Sequence, residues 1–142
     1  MIEIINRQRT HTIDGKVWRA FSERALAATA DIDRAATIVF VSDAAIKRLN
    51  RQFRGQNYAT DVLSFPTEAE KFESENQSSL GEIVISAERA AAQAKENGLK
   101  LDEEIAQLIL HGLLHLSGYD HETDNGEMNR LERRLRRKLN ID

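Results

Sequence analysis

The segment from Asp102 to Leu116 is apolar around nearly the whole circumference of the helix that it predicts. A surface helix keeps one polar face, whereas a helix that is apolar all round lies inside its domain. We therefore expect Asp102 to cap a central buried helix that ends at Gly118, with the other elements packed around it. The side chains that give this pattern are Ile105, Leu108, Ile109, Leu110, Leu113, Leu114 and Leu116.

Three of the chain's four histidines lie on or just after this helix. His111 and His115 are four residues apart, so a helix presents both imidazoles on one face. A reversal at Gly118 can bring His121 back toward that pair. Three neutral imidazoles without cysteine are typical of a catalytic zinc site with an open fourth position. The alternative, ordinary histidines on a half-buried helix face, suits a lone histidine better than this trio.

Strands and helices alternate along the rest of the chain. Strands are predicted at residues 1–6, 37–41, Asp61–Pro66 and Leu80–Ser86. Helices are predicted at about Gly15–Ala30, from a cap at Ser42 or Asp43 through Phe53, at Ala87–Asn97, at the central segment and from Asp124 onward. On the first helix, Val17, Phe21, Ala25 and Leu26 are expected to form the apolar stripe. The pattern indicates an α+β fold, a small mixed sheet of about four strands packed with about five helices, with the metal site at the C-terminal end of the central helix.

Length and composition are those of a soluble protein with one domain, residues 1–142. The absence of cysteine suits a reducing compartment, so we expect a cytoplasmic location. The first ten residues lack the apolar core of a signal peptide or membrane anchor, and no membrane contact is expected. The net charge of −3 argues against a wholly basic nucleic-acid binder, so any RNA contact needs a local basic patch.

Gly112 separates this chain from the zinc proteases that share its histidine spacing. Those enzymes place a glutamate after the first histidine as general base, and glycine cannot take a proton. A glycine inside a buried helix also costs about 1 kcal/mol relative to alanine, which calls for a reason. Two reasons are equally compatible with the sequence: room above the metal for a phosphodiester, or close packing against a neighbouring strand.

The run HGLLHLSGYDH, with LNRQFRGQNYATDVLSFP upstream and GEIVIS between them, resembles the YbeY family of bacterial endoribonucleases and ribosomal-RNA maturation factors. The resemblance spans most of the chain and implies that His111, His115 and His121 bind one zinc ion. It also implies a role in catalysis or RNA contact for Arg54, which would otherwise be read as a surface arginine paired with a local acid. Ala59 stands where relatives commonly have proline, a change that removes no chemical group.

The resemblance implies a zinc-dependent endoribonuclease specific for single-stranded RNA. Its expected role is ribosomal RNA processing, including maturation of the small-subunit rRNA 3′ end, and ribosome quality control, with the rRNA precursor and the ribosome as partners. One alternative is a ribosome- or RNA-binding protein in which zinc only fastens the last helix to the core. Another is a zinc peptidase with an unrecognised base. The sequence leaves open the oligomeric state, the metal used in the cell, and whether water or the RNA 2′-hydroxyl attacks.

Some other residues near these motifs have two interpretations each. Asp61 and Asp120 could orient a histidine or cap turns. Tyr119 could stack on a base or close a turn from inside the protein. The basic side chains of the last helix could follow a phosphate backbone or form a solvated face; they are Arg130, Arg133, Arg134, Arg136, Arg137 and Lys138.

Overall fold

The computed structural model describes residues 1–29, 34–67, 79–118 and 125–141. Its strands are β1 (Ile2–Asn6), β2 (Ala35–Val41), β3 (Val62–Pro66) and β4 (Ser79–Ser86). Its helices are α1 (Gly15–Ala28), α2 (Asp43–Arg54), α3 (Ala87–Glu96), α4 (Leu101–Leu116) and α5 (Glu127–Leu139). The predicted α+β fold is confirmed, with four strands and five helices in the described part of the chain.

The four strands form one mixed sheet in the order β1-β2-β4-β3. β1 and β4 both pair with β2 in parallel, whereas β3 pairs with β4 in the antiparallel direction. β3 is therefore an edge strand, where the missing N–H of Pro66 is tolerated, and the strand ends at this proline as predicted.

The sheet separates two groups of buried apolar side chains. In β2, Ile38 and Phe40 belong to the larger cluster, whereas Val39 and Val41 belong to the smaller one. This alternation follows from the two-residue period of a strand, which points successive side chains to opposite faces. The smaller cluster contains Ile46 of α2, so α2 covers one face, while side chains of α1, α4 and α5 join the larger cluster on the other face.

Helix α4 lies at the centre of the larger cluster. It packs against β3 and β4 and also against α1, α3 and α5. Ile105, Ile109, Leu110, Leu113 and Leu114 are completely buried, which confirms that the apolar pattern predicts a central helix. Among the described helices, none is long and apolar enough to cross a membrane.

The predictions of helix starts and of one apolar stripe were partly wrong. Helix α4 is capped at Lys100 instead of Asp102, because the Glu103 carboxylate accepts a hydrogen bond from the Lys100 N–H at 2.8 Å. Helix α5 begins at Glu127, after Gly126, and the start predicted at Asp124 lies outside the described residues. On α1, Val17 is 52% exposed and the larger Trp18 takes the buried position, in edge-to-face contact with Phe21.

Close packing explains Gly112. A Cβ atom at this position would lie 2.9 Å from both Cδ1 and Cγ2 of Ile83, a completely buried residue of β4. Carbon atoms in contact are normally about 3.5–4.0 Å apart. The glycine thus lets α4 approach β4, and of the two reasons considered for it, this one accounts for it.

Substituting Gly112 by alanine is therefore expected to destabilise the protein. Overpacking a core typically costs about 1–3 kcal/mol, which exceeds the gain of about 1 kcal/mol from the better helix former. Urea unfolding should show a lower midpoint for Gly112→Ala than for the wild type. Ile83→Ala removes all three atoms that the added Cβ would meet, Cγ1, Cγ2 and Cδ1, so the double variant should be more stable than the sum of the two single effects predicts. If the two effects on stability were strictly additive, Ile83 would not be the residue that the added Cβ of Gly112→Ala meets.

Candidate active site

A cleft of about 780 Å³ opens between the end of α2, strand β3 and the C-terminal half of α4. Its lining brings together three of the four residues predicted for the site, Arg54, His111 and His115. The other lining residues are Asn50, Gln56, Tyr58, Thr60, Val62, Leu63, Ser64 and Pro66. Residues from two distant segments of the sequence therefore meet in one concave surface of nucleotide-sized volume.

The two helical histidines face each other across one turn of α4. Their Nε2 atoms are 3.0 Å apart and the two rings are nearly perpendicular, at 76°. Both side chains are half-buried at the edge of the apolar core. This geometry follows from the i, i+4 spacing, as the sequence predicts.

Glu132 of α5 fixes the orientation of His111. Its Oε1 lies 2.9 Å from Nδ1 of His111, and a carboxylate at this distance accepts the Nδ1 proton. The proton on Nδ1 leaves Nε2 of His111 as an acceptor whose lone pair is directed at His115. Metal-binding histidines in proteins commonly have such a carboxylate on their second nitrogen.

Glu132 is charged although its side chain is only 11% exposed. Burial alone would raise the pKa of Glu132, but the hydrogen bond from His111 and the electrostatic interactions with His111, Arg136 and His115 outweigh burial and lower it. Nη2 of Arg136 lies 3.7 Å from the second carboxylate oxygen, Oε2. The carboxylate is therefore held as an anion beside the histidine pair.

The sequence analysis missed Glu132, although the sequence carries a signal for it. The residue lies between Met128 and Leu135 on the apolar stripe of α5, where a carboxylate is buried against the core. A buried charge requires a partner, since removing it from water is costly. An acidic residue on the apolar face of an otherwise basic helix could therefore have been assigned to the site.

The histidine pair fits a metal ion by the chemistry of its donors. Two imidazole nitrogens bound to one tetrahedral zinc ion at about 2.0–2.1 Å lie roughly 3.3 Å apart, close to the 3.0 Å observed. His121, the third predicted ligand, lies outside the described residues, as do Tyr119 and Asp120. Within the described ranges, no three histidine, cysteine, aspartate or glutamate side chains are grouped to hold an ion.

Arg54 is the last residue of α2, and its exposed side chain lines the cleft. Its Nη2 donates to the carbonyl oxygen of Ser64 in β3 at 3.3 Å. Gly55 follows in the left-handed conformation, with φ of 68°, and caps the helix through the carbonyl of Arg51. Among the ion pairs between described residues, Arg54 takes part in none, so its guanidinium is available for an anion.

Asp61 caps the start of β3. Its Oδ1 accepts from the Val62 N–H at 2.8 Å and from the Thr60 hydroxyl at 3.2 Å. In the amide orientation that satisfies its hydrogen bonds, Gln93 donates to Oδ2 of Asp61 at 2.9 Å and to Glu104. Of the two interpretations considered for Asp61, the turn cap is the one observed.

The basic side chains of α5 divide into two groups. Arg136 is half-buried beside Glu132 and therefore belongs to the surroundings of the histidine pair. The others are exposed: Arg130, Arg133, Arg134, Arg137 and Lys138.

The chain is similar to proteins of one family. The family profile described as "Endoribonuclease YbeY" matches residues 3–140. A protein of that name from Nautilia profundicola is 50% identical over 109 residues, which cover 77% of this chain and 75% of the relative. Another, from Geobacter metallireducens, is 37% identical over 136 residues, covering 95% and 91%. The solution structure of a Thermotoga maritima protein, 30% identical, matches with a TM-score of 0.67 and covers 98% of this chain and 89% of that protein.

Proposed function

The chain belongs to the YbeY family of endoribonucleases, and on that basis we propose that it cleaves single-stranded RNA in ribosomal RNA processing. The proposal extends to maturation of the small-subunit rRNA 3′ end and to ribosome quality control, with the rRNA precursor and the ribosome as cytoplasmic partners. Residues 1–142 would act as one metal-dependent domain. The observation that carries the proposal is the cleft in which Arg54 lies with His111 and His115.

The proposed cofactor is one zinc ion per chain, held by His111, His115 and His121. When bound, zinc supplies a positive charge that polarises a phosphoryl oxygen and favours deprotonation of the attacking group. The described residues would prepare this site in advance, since Glu132 sets the tautomer of His111, and the hydrogen bond from His111 together with Arg136 favours the ionised form of Glu132.

Arg54 is proposed to bind the phosphodiester that is cleaved. Negative charge accumulates on the non-bridging oxygens as the bond breaks, and a guanidinium can donate to two such oxygens at once. The hydrogen bond from Nη2 to the Ser64 carbonyl holds this group against β3. The arginine would thus stabilise the transition state from a fixed position instead of having to be ordered during the reaction.

The first test compares single-stranded and duplex RNA of the same sequence, both end-labelled, with zinc-loaded wild-type protein. We expect cleavage of the single strand only, its loss with a chelator, and its return when zinc is added. An identically purified His115→Ala variant serves as the blank for contaminating nucleases. Equal cleavage by the blank, or no cleavage by the wild type, would contradict the proposal.

The same preparation separates the two alternative functions. RNA binding without cleavage, together with unfolding when zinc is removed, would point to a zinc-fastened binding protein. The contact between Glu132 of α5 and His111 of α4 supports that alternative, because it connects the last helix to the core. A digest of mixed peptides tests the zinc peptidase. We expect no peptide cleavage, because the residue directly after His111 is Gly112 and not the glutamate that zinc proteases use as general base.

Replacing Glu132 by glutamine is expected to weaken zinc binding by about 10- to 100-fold, since the variant loses the charge that supports His111. Competition with a chromophoric chelator measures the affinity without reference to catalysis. The matched control is Glu96→Gln, an exposed carboxylate at the end of α3. Equal zinc affinity in the Glu132 variant and the wild type would show that Glu132 does not act through His111.

A further inference from the structure

Tyr58 is an exposed aromatic residue at the wall of the cleft. Its side chain is 54% exposed, and the residue lies in the loop that joins α2 to β3. Of the described large hydrophobic residues with comparable exposure, Met1, Val17, Phe53 and Tyr58, only Tyr58 lines the cleft with Arg54 and the histidines. An aromatic ring left open to water beside a reaction centre is available for a ligand.

The backbone that carries this ring is held firmly. The side-chain amide nitrogen of Asn50, Nδ2, donates to the backbone carbonyl oxygen of Tyr58 at 2.9 Å, and Asn50 is only 3% exposed. The carbonyl oxygen of Asn50 accepts from the Gln56 N–H at 3.3 Å, and Gly55 bonds back to Arg51. The loop is therefore tied to α2 on both sides of its turn, while the phenol ring itself remains exposed. Such an arrangement presents a flat surface with little conformational freedom to lose on binding.

We propose that Tyr58 stacks on an unpaired base of the RNA substrate and thereby selects single strands over duplexes. This inference rests on the proposed function and names a specificity-determining residue for it. Arg54 and Tyr58 line the same cleft, so one nucleotide can place its phosphate at the guanidinium and a neighbouring base on the ring. In a duplex both faces of a base are covered by its neighbours, so the ring finds no partner there.

Stacking also distinguishes Tyr58 from a residue that only donates a hydrogen bond. Every base has a π-face, so stacking tolerates any sequence and depends on the ring instead of the hydroxyl. Phenylalanine should replace Tyr58 with little loss, whereas serine should not. Phe53 offers a matched control, because it is equally exposed at 59% but is not among the described residues that line the cleft.

The test measures cleavage and binding of single-stranded RNA by the wild type and by the Tyr58→Ser, Tyr58→Phe and Phe53→Leu variants. Loss of one stacked base is expected to raise KM and Kd by about 5- to 100-fold in Tyr58→Ser, with kcat largely retained. Tyr58→Phe and Phe53→Leu should stay within about twofold of the wild type, since neither removes the stacking ring. Discrimination against duplex should fall in Tyr58→Ser alone.

RNAs with a single abasic nucleotide, moved stepwise along the strand, identify the stacked base. At one position the missing base should weaken wild-type binding by the same factor as the Tyr58→Ser substitution, and should not weaken the variant further. An equal abasic penalty in both proteins, or unchanged KM and Kd in Tyr58→Ser, would overturn the inference while leaving the nuclease proposal intact. A wild type that neither binds nor cleaves RNA would overturn both, and one that binds without cleaving still tests stacking through Kd.

Discussion

Replacing His115 by alanine is expected to abolish the proposed zinc binding and to slow RNA cleavage by about 1,000-fold or more, because a bound metal would stabilise the transition state by several kcal/mol. Nε2 of His115 lies 3.0 Å from Nε2 of His111, so the substitution deletes one of the two described donors. Zinc content measured on the purified protein and cleavage of end-labelled single-stranded RNA give two independent readouts. His115 is half-buried, and its loss leaves the apolar core of α4 in place.

The matched control for this prediction is His11, the one histidine that the sequence does not assign to the site. His11 lies in the loop between β1 and α1, where its backbone N–H and carbonyl bond to the side chain of Gln8. His11→Ala should therefore keep full zinc content and activity. Urea unfolding of both variants shows whether the fold is intact. A folded His115→Ala protein with one zinc ion and normal cleavage would contradict the assignment of this residue.

The elements whose formation depends on local pattern could be predicted from the sequence. The apolar run of α4 identifies the central helix, and the spacing of His111 and His115 identifies a shared face, because both features lie within one helix. Pro66 likewise identifies the end of β3, and alternation identifies β4, whereas the edge position of β3 is known only from the structure. The position of Arg54 in the cleft came from a resemblance, not from a pattern within the chain.

The features that depend on tertiary packing could not be predicted in the same way. Gly112 is explained by Ile83, which is distant in sequence and belongs to another element. Glu132 meets His111 only because α5 packs against α4. The predicted apolar stripe of α1 was wrong only at Val17, for a related reason, since periodicity alone did not decide whether Val17 or Trp18 faces the core. A choice between adjacent positions depends on which side chain the neighbouring elements can accommodate.

Replacing Arg54 by alanine is expected to lower kcat for RNA cleavage by about 100- to 1,000-fold, the usual cost of removing one preorganised group that binds developing negative charge. Zinc content should not change, because Arg54 belongs to α2 and its hydrogen bond goes to the Ser64 carbonyl instead of the histidines. Stability should change by no more than about 0.5 kcal/mol, since the side chain is exposed. This combination separates Arg54 from the proposed metal ligands.

Two further variants determine whether position and shape or charge alone matter at Arg54. Arg51→Ala removes an equally exposed arginine one turn earlier on α2, outside the described lining of the cleft, and should leave kcat unchanged. Arg54→Lys keeps the charge but loses the planar fork that contacts two oxygens, so its kcat should lie between those of the wild type and Arg54→Ala. An equal loss of kcat in Arg51→Ala and Arg54→Ala would show that Arg54 contributes only to the general electrostatic attraction of RNA. Such a loss would shrink as salt is raised, whereas a defect at the scissile phosphate persists at saturating substrate.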